Sequence, residues 1–298
     1  MRYTNEMNLP QLYWDAIVND DYDGPVANCT SLSVSGINQP VKQRILQLRH
    51  YDDIVEDISD RIWSMFGNSQ HYLLSKTKSD GIVEKRFKWK ISDTNISGKI
   101  DLLENGVLSD HKTTSVWHII HNSDNFLDWQ KSLNCYYFIL KKNGIDIKKL
   151  QIIALLRDWS KNKAKIDKEY PQHQCLVIPI EIWPEEKQEE YIMEKITEHE
   201  KYLTYEDDEI PECSPEERWA NPTTFAVKKK GAQKALRVLK TVEEAVKYME
   251  NKPGTWIEER KGVDNKCTGY CNVCQWCNYY NKIYGKKEIS NGKDTNSR

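Results

Sequence analysis

The chain has 298 residues, of which 39% are hydrophobic and 30% are charged. This balance excludes a disordered chain, and the length predicts one folded core that carries appended elements. The formal net charge of −2 excludes a globally basic surface, so nucleic-acid binding would depend on local basic patches. No apolar run reaches the roughly 18 residues that span a bilayer. The N-terminus also lacks a signal-peptide pattern, and we expect an intracellular, cytoplasmic protein.

The first part of the chain shows helical patterns followed by strands. Helices are predicted over Val41–Arg49 and Asp53–Lys76, and Gly67–His71 should interrupt or bend the second near its end. Strands are predicted over Gly81–Ile91 and Asn95–Lys112. The second helix has apolar residues at four-residue spacing that should face the core, namely Ile54, Ile58, Ile62 and Phe66.

A further helix and strand complete this part of the pattern. Asn125–Leu140 should be helical, because the following Lys-Lys-Asn-Gly, ending at Gly144, is typical of a helix C-terminus. Leu150–Asp158 should be a buried strand and Trp183–Tyr205 a charged, exposed helix. The order helix, three strands, helix, strand predicts an α/β fold with a mixed sheet flanked by helices.

The end of the chain should form a small separate lobe. We divide the sequence into a core over residues 1–205, a cysteine-containing lobe over 206–285 and a polar, disordered tail over 286–298. The elements predicted in the lobe are a hairpin of Thr223–Lys228 and Lys234–Val238, a short helix over Thr241–Met249 and a strand over Thr255–Arg260.

The most informative feature is a hairpin signal, the Asn-Gly pair at 105–106. A two-residue turn there pairs Glu104 with Val107, and counting back along both strands places Asp101 opposite Asp110. Like charges directly opposite each other destabilise a sheet. The pairing therefore indicates a site that holds a cation.

The residue types around this pair fit phosphodiester chemistry. Side chains alternate along a strand, so Lys112 should share the face of Asp110 while His111 points to the other side. Carboxylates suit Mg²⁺ or Mn²⁺, and an ammonium group can stabilise an anionic transition state. The alternative is a surface hairpin that shows Asp, Asp and Lys to water.

Gly98-Lys-Ile-Asp101 followed by Asp110-His-Lys112 resembles the G-x-x-D and D-x-K motifs of the RecB-type branch of the PD-(D/E)XK nucleases. The resemblance implies a restriction-endonuclease-like core, catalysis by Asp101, Asp110 and Lys112, and a requirement for Mg²⁺ or Mn²⁺. Such enzymes often carry an acidic residue where Glu84 lies, although a solvated carboxylate is an equal alternative.

Two flanking motifs reinforce this resemblance. Gly67-x₃-His71 resembles the motif in which a helical histidine supplies a further metal ligand. The segment ending at Tyr136 resembles the Q-x-x-x-Y helix, which adds Tyr136 to the catalytic residues. Ser132 stands where that motif has glutamine, and the role of Gln130, two positions earlier, is left open.

Four of the eight cysteines are crowded into one segment, at Cys267, Cys271, Cys274 and Cys277. We expect the chain to occupy a reducing compartment, where such crowding is typical of a metal or cluster site rather than of disulfides. Both zinc and iron–sulfur clusters accept four thiolates. Spacing alone leaves these two alternatives open.

A subset of RecB-type nucleases, including AddB-like proteins and CRISPR adaptation exonucleases, binds an iron–sulfur cluster through three C-terminal cysteines and one upstream cysteine. The resemblance implies a 4Fe-4S cluster, with zinc as the alternative. The implied ligands are Cys213, Cys267, Cys271 and Cys277, with Cys29 as the other upstream candidate and Cys274 as an extra.

The sequence therefore predicts a metal-dependent DNA exonuclease acting on single-stranded ends, with a helicase or recombination protein as a partner. The alternatives are a non-catalytic DNA-binding subunit with a vestigial core, and a structure-specific endonuclease. Lysines between Lys228 and Lys240 either line a DNA backbone or form a solvated hairpin tip.

Overall fold

The computed structural model describes residues 1–19, 31–122 and 125–285. The predicted tail at 286–298 and the candidate ligand Cys29 lie outside these residues. Two compact units are present. The core unit comprises Met1–Gln39 and Tyr51–Tyr205, and the lobe unit comprises Pro40–His50 and the chain from Glu206 onward. No helix in the described residues is long and apolar enough to cross a membrane.

The helices and strands are numbered along the chain. The helices are α1 (Gln11–Val18), α2 (Val34–Ile37), α3 (Val41–Arg49), α4 (Ile62–Ser75), α5 (Val116–Ile120), α6 (Leu127–Lys142), α7 (Lys161–Ile166), α8 (Glu185–Lys201), α9 (Val242–Met249), α10 (Asn265–Gly269) and α11 (Asn278–Ile283). The strands are β1 (Arg2–Thr4), β2 (Ser31–Ser33), β3 (Val55–Asp57), β4 (Ile82–Ile91), β5 (Thr94–Glu104), β6 (Val107–Thr114), β7 (Lys149–Leu156), β8 (Cys175–Ile180), β9 (Ala220–Asn221), β10 (Thr224–Lys229), β11 (Arg237–Leu239), β12 (Thr255–Arg260) and β13 (Val263–Asp264).

The main sheet of the core unit has the order β2-β5-β6-β7-β8, with β4 paired to β5. The pairs β2/β5 and β6/β7 are parallel and the others are antiparallel, so the sheet is mixed. The chain order α4-β4-β5-β6-α5-α6-β7 repeats the predicted succession of helix, three strands, helix and strand, with the short helix α5 added before α6. The predicted α/β class, with helices flanking a mixed sheet, is confirmed.

Strand β5 is the strand on which the sheet divides. Its pairing with β4 runs from Thr94 to Leu103 and occupies one edge. A strand has only two edges, so β2 and β6 share the other: β2 pairs with Asn95–Ser97 and β6 with Leu102–Glu104. In this register Gly98–Asp101 pairs with neither of them. We call this open stretch of edge the fork.

Helix α6 forms the apolar layer beneath the sheet. Leu133, Phe138 and Leu140 are almost fully buried, and α6 packs against several strands. The helix ends as predicted: Gly144 has a φ of 75°, and its N–H donates to the carbonyl of Lys141 while the N–H of Ile145 donates to that of Leu140. These two hydrogen bonds form a Schellman cap, which needs a residue that tolerates positive φ.

The single helix predicted over Asp53–Lys76 is wrong. The segment contains β3 and a 3₁₀ turn over Ile58–Arg61 before α4 begins at Ile62. Asp57 explains the break, because its carboxylate accepts hydrogen bonds from the backbone N–H groups of Glu6 and Ser59. Such local bonds compete with helix formation. The predicted interruption at Gly67–His71 is absent, since α4 continues through these residues.

The four apolar residues with four-residue spacing therefore do not belong to one helix. Ile54 and Ile58 are fully buried as predicted, whereas Phe66 is 44% exposed. The predicted helix over Trp183–Tyr205 is present as α8, but it is not exposed throughout, because Ile192, Ile196 and His199 are buried. Strands β2 and β8 were not predicted.

The lobe unit is built from short elements. The predicted hairpin and strand are present, and their strands β11, β10 and β12 together form a three-stranded antiparallel sheet. Thr241 caps α9 through a capping box with Glu244. Lys42, on α3, is buried, and its ammonium group donates to the carbonyls of Asp207 and Ile210 at 2.9 and 2.8 Å. Helix α3 is thus fastened to the chain after Glu206.

Candidate active site

A cavity of about 370 Å³ opens at the fork of β5. All five residues predicted to act in catalysis or metal binding line it. These are His71, Asp101, Asp110, Lys112 and Tyr136. Further polar lining comes from Glu84, Arg86, Ser97 and Lys99. The fold therefore brings together residues from α4, β4, β5, β6 and α6.

The predicted hairpin register is confirmed. Glu104 pairs with Val107 and Leu102 with Ser109 around a turn whose two residues, Asn105 and Gly106, have φ of 52° and 76°. The described ladder stops there, one pair before Asp101. The carboxylate of Asp101 instead accepts a hydrogen bond from the backbone N–H of His111 at 2.6 Å.

Asp101 is buried beside other charged groups. Its Oδ1 atom lies 3.6 Å from Nδ1 of His71. Burial, reinforced by the negative charge of Asp110, raises the pKa of Asp101 to about 7. A carboxyl group in this state gains from a nearby cation, which would stabilise its ionised form. The repulsion expected between Asp101 and Asp110 is therefore present in the fold.

Asp110 and Lys112 lie on the same face of β6, as predicted. Nζ of Lys112 is 2.6 Å from Oδ2 of Asp110. Asp110 is buried, whereas the side chain of Lys112 is 37% exposed. The ammonium group thus lines the cavity, is partly exposed to solvent and is paired with a buried carboxylate.

His71 is held in place by a second acidic residue, Glu84. Nδ1 of His71 lies 2.9 Å from Oε1 of Glu84, whose Oε2 lies 2.8 Å from Nζ of Lys99. The hydrogen bond to Glu84 raises the pKa of His71 despite its partial burial. Burial alone would raise the pKa of Glu84, but the bonds from His71 and Lys99 bring it below its usual value. Glu84 is therefore a paired carboxylate and not a solvated one.

The backbone at Glu84 is unusual for a strand. Val83 and Lys85 pair with Leu102 and Ile100 on either side of it, yet Glu84 itself has a φ of 48°. A non-glycine residue in this left-handed region carries a conformational cost, and such residues are found at functional sites. This geometry turns the carboxylate of Glu84 toward His71.

His111, predicted to point to the side of β6 opposite Asp110 and Lys112, does not line the cavity, but it lies beside two residues that do. Its ring centroid is 6.0 Å from that of His71, and its Nδ1 atom is 4.0 Å from Oδ2 of Asp101. His71, Asp101 and His111 can each offer one ligand atom, and these atoms lie within 4.8 Å of one another. The reason is that Asp101 leaves the regular ladder, so strand alternation no longer decides which side chains meet it. No signal in the sequence identifies His111.

The ring of Tyr136 reaches the cavity by packing directly against Gly98. A methyl group at Gly98 would lie 2.5 Å from Cδ1 of the Tyr136 ring, so only glycine allows this approach. Gln130, whose role the sequence left open, lies elsewhere. It donates to the carbonyl of Asn125 and accepts from the indole of Trp183 at 3.1 Å, which makes it part of the packing between α6 and the segment that precedes α8.

The lobe unit contains a second cavity, lined by cysteines. Cys213 lies there together with Cys267, Cys271, Cys274 and Cys277, and with the cationic residues Lys42 and Arg218. Burial raises the pKa of Cys213 to about 11 and that of Cys267 to about 12, and neighbouring cysteines add to both shifts. Thiols in this setting ionise readily only with a positively charged partner.

No protein-family model matches the chain, and no curated protein matches it in sequence. Among solved structures it is similar to the crystal structure of SSO0001, with a TM-score of 0.44, 12% identity and coverage of 63% of this chain and 84% of that one. It is also similar to an alkaline exonuclease, LHK-Exo, from Laribacter hongkongensis, with a TM-score of 0.37, 12% identity and coverage of 60% and 92%. These likenesses are too weak to transfer a function, and the chemistry of the chain must follow from its two cavities.

Proposed function

We propose that this chain is a divalent-metal-dependent DNA nuclease that hydrolyses phosphodiester bonds, as an exonuclease on single-stranded ends. One observation carries the proposal: two buried carboxylates, Asp101 and Asp110, share an open cavity with His71 and Lys112. This donor set is suited to a hard divalent cation placed beside an ammonium group.

The residues fit such a cation. Burial and Asp110 hold the pKa of Asp101 near 7, so a dication bound there would offset a penalty that the folded chain already carries. His71, Asp101 and Asp110 would hold Mg²⁺ or Mn²⁺, and Glu84 orients His71 from its Nδ1 side. When bound, the metal supplies an activated water and neutralises charge on the phosphate.

The chain's own residues supply the remaining parts of the reaction. Lys112 is positioned by Asp110 at 2.6 Å, from where its ammonium group stabilises negative charge on the phosphate in the transition state. Arg86 and Lys99 add positive charge to the cavity wall, where they attract a phosphate backbone. Tyr136 fixes the inner wall against Gly98.

The choice of DNA as substrate is supported by the G-x-x-D and D-x-K motifs around Asp101 and Lys112, which resemble those of DNA nucleases. The preference for single-stranded ends is part of the proposal and has its own arm in the test.

The test uses labelled linear and circular single-stranded DNA, with Mn²⁺, Mg²⁺ or EDTA. We expect degradation of the linear strand only, and only with metal. Lys112→Ala should lower the cleavage rate about 10²–10³-fold while the variant remains folded, as its circular dichroism spectrum should show. Lys165→Ala, on exposed α7, is the matched control and should cleave normally.

Four outcomes would contradict the proposal. Cleavage in EDTA, or full activity of Lys112→Ala, would remove the assigned chemistry. Equal cutting of circular DNA would make the protein an endonuclease. Tight DNA binding without any cleavage would instead identify a non-catalytic DNA-binding subunit.

We further propose that the cysteine cavity holds a 4Fe-4S cluster through Cys213, Cys267, Cys271 and Cys277. The support is that five cysteines line one cavity of the lobe unit, where Cys213 joins the four cysteines that are close together in the sequence. Iron is preferred to zinc because Cys267, Cys271, Cys277 and one upstream cysteine resemble the ligand pattern of the cluster-binding nucleases.

Anaerobically purified protein should be brown and contain iron and sulfide. Cys271→Ser should remove the colour, whereas Cys274→Ser should retain it. Cys175→Ser is the matched control, because Cys175 is exposed on β8 in the core unit. Colourless protein with one zinc ion per chain, lost on Cys274→Ser, would replace the cluster with a zinc site.

A further inference from the structure

His111 has a buried nitrogen without a hydrogen-bond partner. Its side chain is only 10% exposed. Nδ1 is fully covered and has no partner within hydrogen-bonding distance in the described residues. The nearby carboxylate oxygen, Oδ2 of Asp101, is 4.0 Å away, which is too far for a hydrogen bond. Buried polar atoms are nearly always satisfied, and this one points into a cluster of metal-binding groups.

The surrounding atoms have the spacing of a metal site. Ligand atoms of His71, Asp101 and His111 lie within 4.8 Å of one another. Two donors bound to one ion at about 2.0–2.2 Å are separated by about 3–4.4 Å. A small movement of the imidazole rings would therefore bring all three atoms to one ion. His111 was not among the residues predicted to bind metal.

Competing roles for His111 fit less well. A catalytic role in the cavity is not supported, because His111 does not line it, whereas Asp110 and Lys112 do. A purely structural role would leave Nδ1 bonded to a carbonyl or hydroxyl group, and the described residues offer none. A cation shared with Asp101 would satisfy Nδ1 and relieve the carboxylate together.

We propose that His111 is a ligand of the metal centre, which then has two imidazoles in addition to carboxylates and selects Mn²⁺ over Mg²⁺. This inference rests on the proposed function and specifies the metal that the same site prefers. Mg²⁺ binds oxygen and dehydrates reluctantly, whereas imidazole nitrogen favours first-row transition metals. Each added imidazole therefore shifts the preference away from Mg²⁺.

The experiment measures metal binding directly on the full chain, without DNA. Mn²⁺ affinity is measured from the free-ion EPR signal, and Mg²⁺ affinity from competition with Mn²⁺. His111→Gln should weaken Mn²⁺ binding about tenfold or more while changing Mg²⁺ binding far less. His173→Gln, an exposed histidine outside the site, is the control and should change neither.

A spectroscopic readout makes the test independent of the variant's folding. Electron spin echo modulation of the Mn²⁺-loaded wild-type chain should show nitrogen coupling from two imidazoles, and His111→Gln should show one. A single imidazole in the wild type, or an unchanged ratio of Mn²⁺ to Mg²⁺ affinity in a folded variant, would overturn the proposal.

The same data separate this inference from the proposed function. Two coordinated imidazoles in a protein that never cleaves DNA would support the ligand assignment and contradict the nuclease. Metal-dependent cleavage with one coordinated imidazole would support the nuclease and contradict the role of His111.

Discussion

The acidic cavity of the core unit and the cysteine cavity of the lobe unit both gather groups that repel each other when ionised, but their scaffolds differ. The acidic groups stand on long elements, with 11 residues in β5, 8 in β6 and 14 in α4. The cysteines stand among α10 and α11, of 5 and 6 residues, and two-residue strands. The positions of the acidic groups are therefore fixed largely by regular secondary structure, whereas the cysteines have little regular structure around them.

The two cavities also differ in how the chain balances charge. In the acidic cavity Lys112 and His71 lie within 4 Å of carboxylates. In the cysteine cavity Lys42 is committed to two carbonyls and Arg218 to Asp264. We infer that the acidic site keeps its form without metal, while the cysteine site depends on its bound centre.

The largest effect should come from removing that centre. Cys271→Ser should lose the cluster and make the lobe unit sensitive to protease, because structural metal sites contribute on the order of 10 kcal/mol to folding. Limited proteolysis with mass spectrometry of the fragments should locate new cuts after Glu206. Cys175→Ser should give the wild-type pattern. New cuts within the sheet strands would refute the contrast between the units.

Lys42→Met should destabilise the lobe unit by about 3 kcal/mol, because the carbonyls of Asp207 and Ile210 lose a charged donor while buried. Hydrogen exchange of the α3 amides should become roughly 100-fold faster or more, since local opening reports local stability. Lys247→Met, on the exposed side of α9, should leave α3 exchange unchanged. An equal acceleration in β5 would show that the two units unfold together.

Gly98→Ala should cost the core unit about 1–3 kcal/mol, because its methyl group would lie 2.5 Å from the ring of Tyr136. Denaturant unfolding measures the loss. Gly67→Ala is the matched control: nothing lies within 4 Å of its added methyl group, and alanine inside α4 should stabilise by about 0.5–1 kcal/mol. A neutral Gly98→Ala would mean that Tyr136 moves freely.

Asp101→Asn should raise the stability of the metal-free protein by about 1 kcal/mol near pH 8. With the pKa of Asp101 raised to about 7 by burial and Asp110, the folded chain keeps a proton that the unfolded chain has released. Wild-type stability should therefore fall as pH rises from about 4 to 7, and the variant should lack this component. Urea unfolding in EDTA at several pH values tests it, with exposed Asp128→Asn as the control.

Local chemistry made part of this structure predictable. The Asn-Gly turn at 105–106 set the register that brings Asp101 near Asp110, and the Lys-Lys-Asn-Gly end of α6 appeared where predicted. In both cases the hydrogen bonds that determine the local structure join residues only a few positions apart in the sequence.

The remainder depends on contacts that are distant in sequence. The spacing of Ile54 and Ile58 is typical of a helix. The segment is not helical because Asp57 accepts a hydrogen bond from the backbone N–H of Glu6, which is distant in the sequence. Glu84 turns toward His71 through a positive φ that its neighbours do not signal. His111 donates its backbone N–H to Asp101, whose own pairing across the ladder is absent.

The course of the chain through α3 has a consequence for synthesis. The ribosome produces Pro40–His50 early, yet the rest of its unit begins only at Glu206. At ~5–20 residues per second, the delay is on the order of ten seconds or more. During that time Ile45 and Leu46, which are buried in the finished fold, have no partners from Glu206 onward. During synthesis, the apolar residues of α3 are therefore exposed and could be bound by a chaperone. In a fragment ending at Tyr205, α3 would lack the rest of its unit permanently.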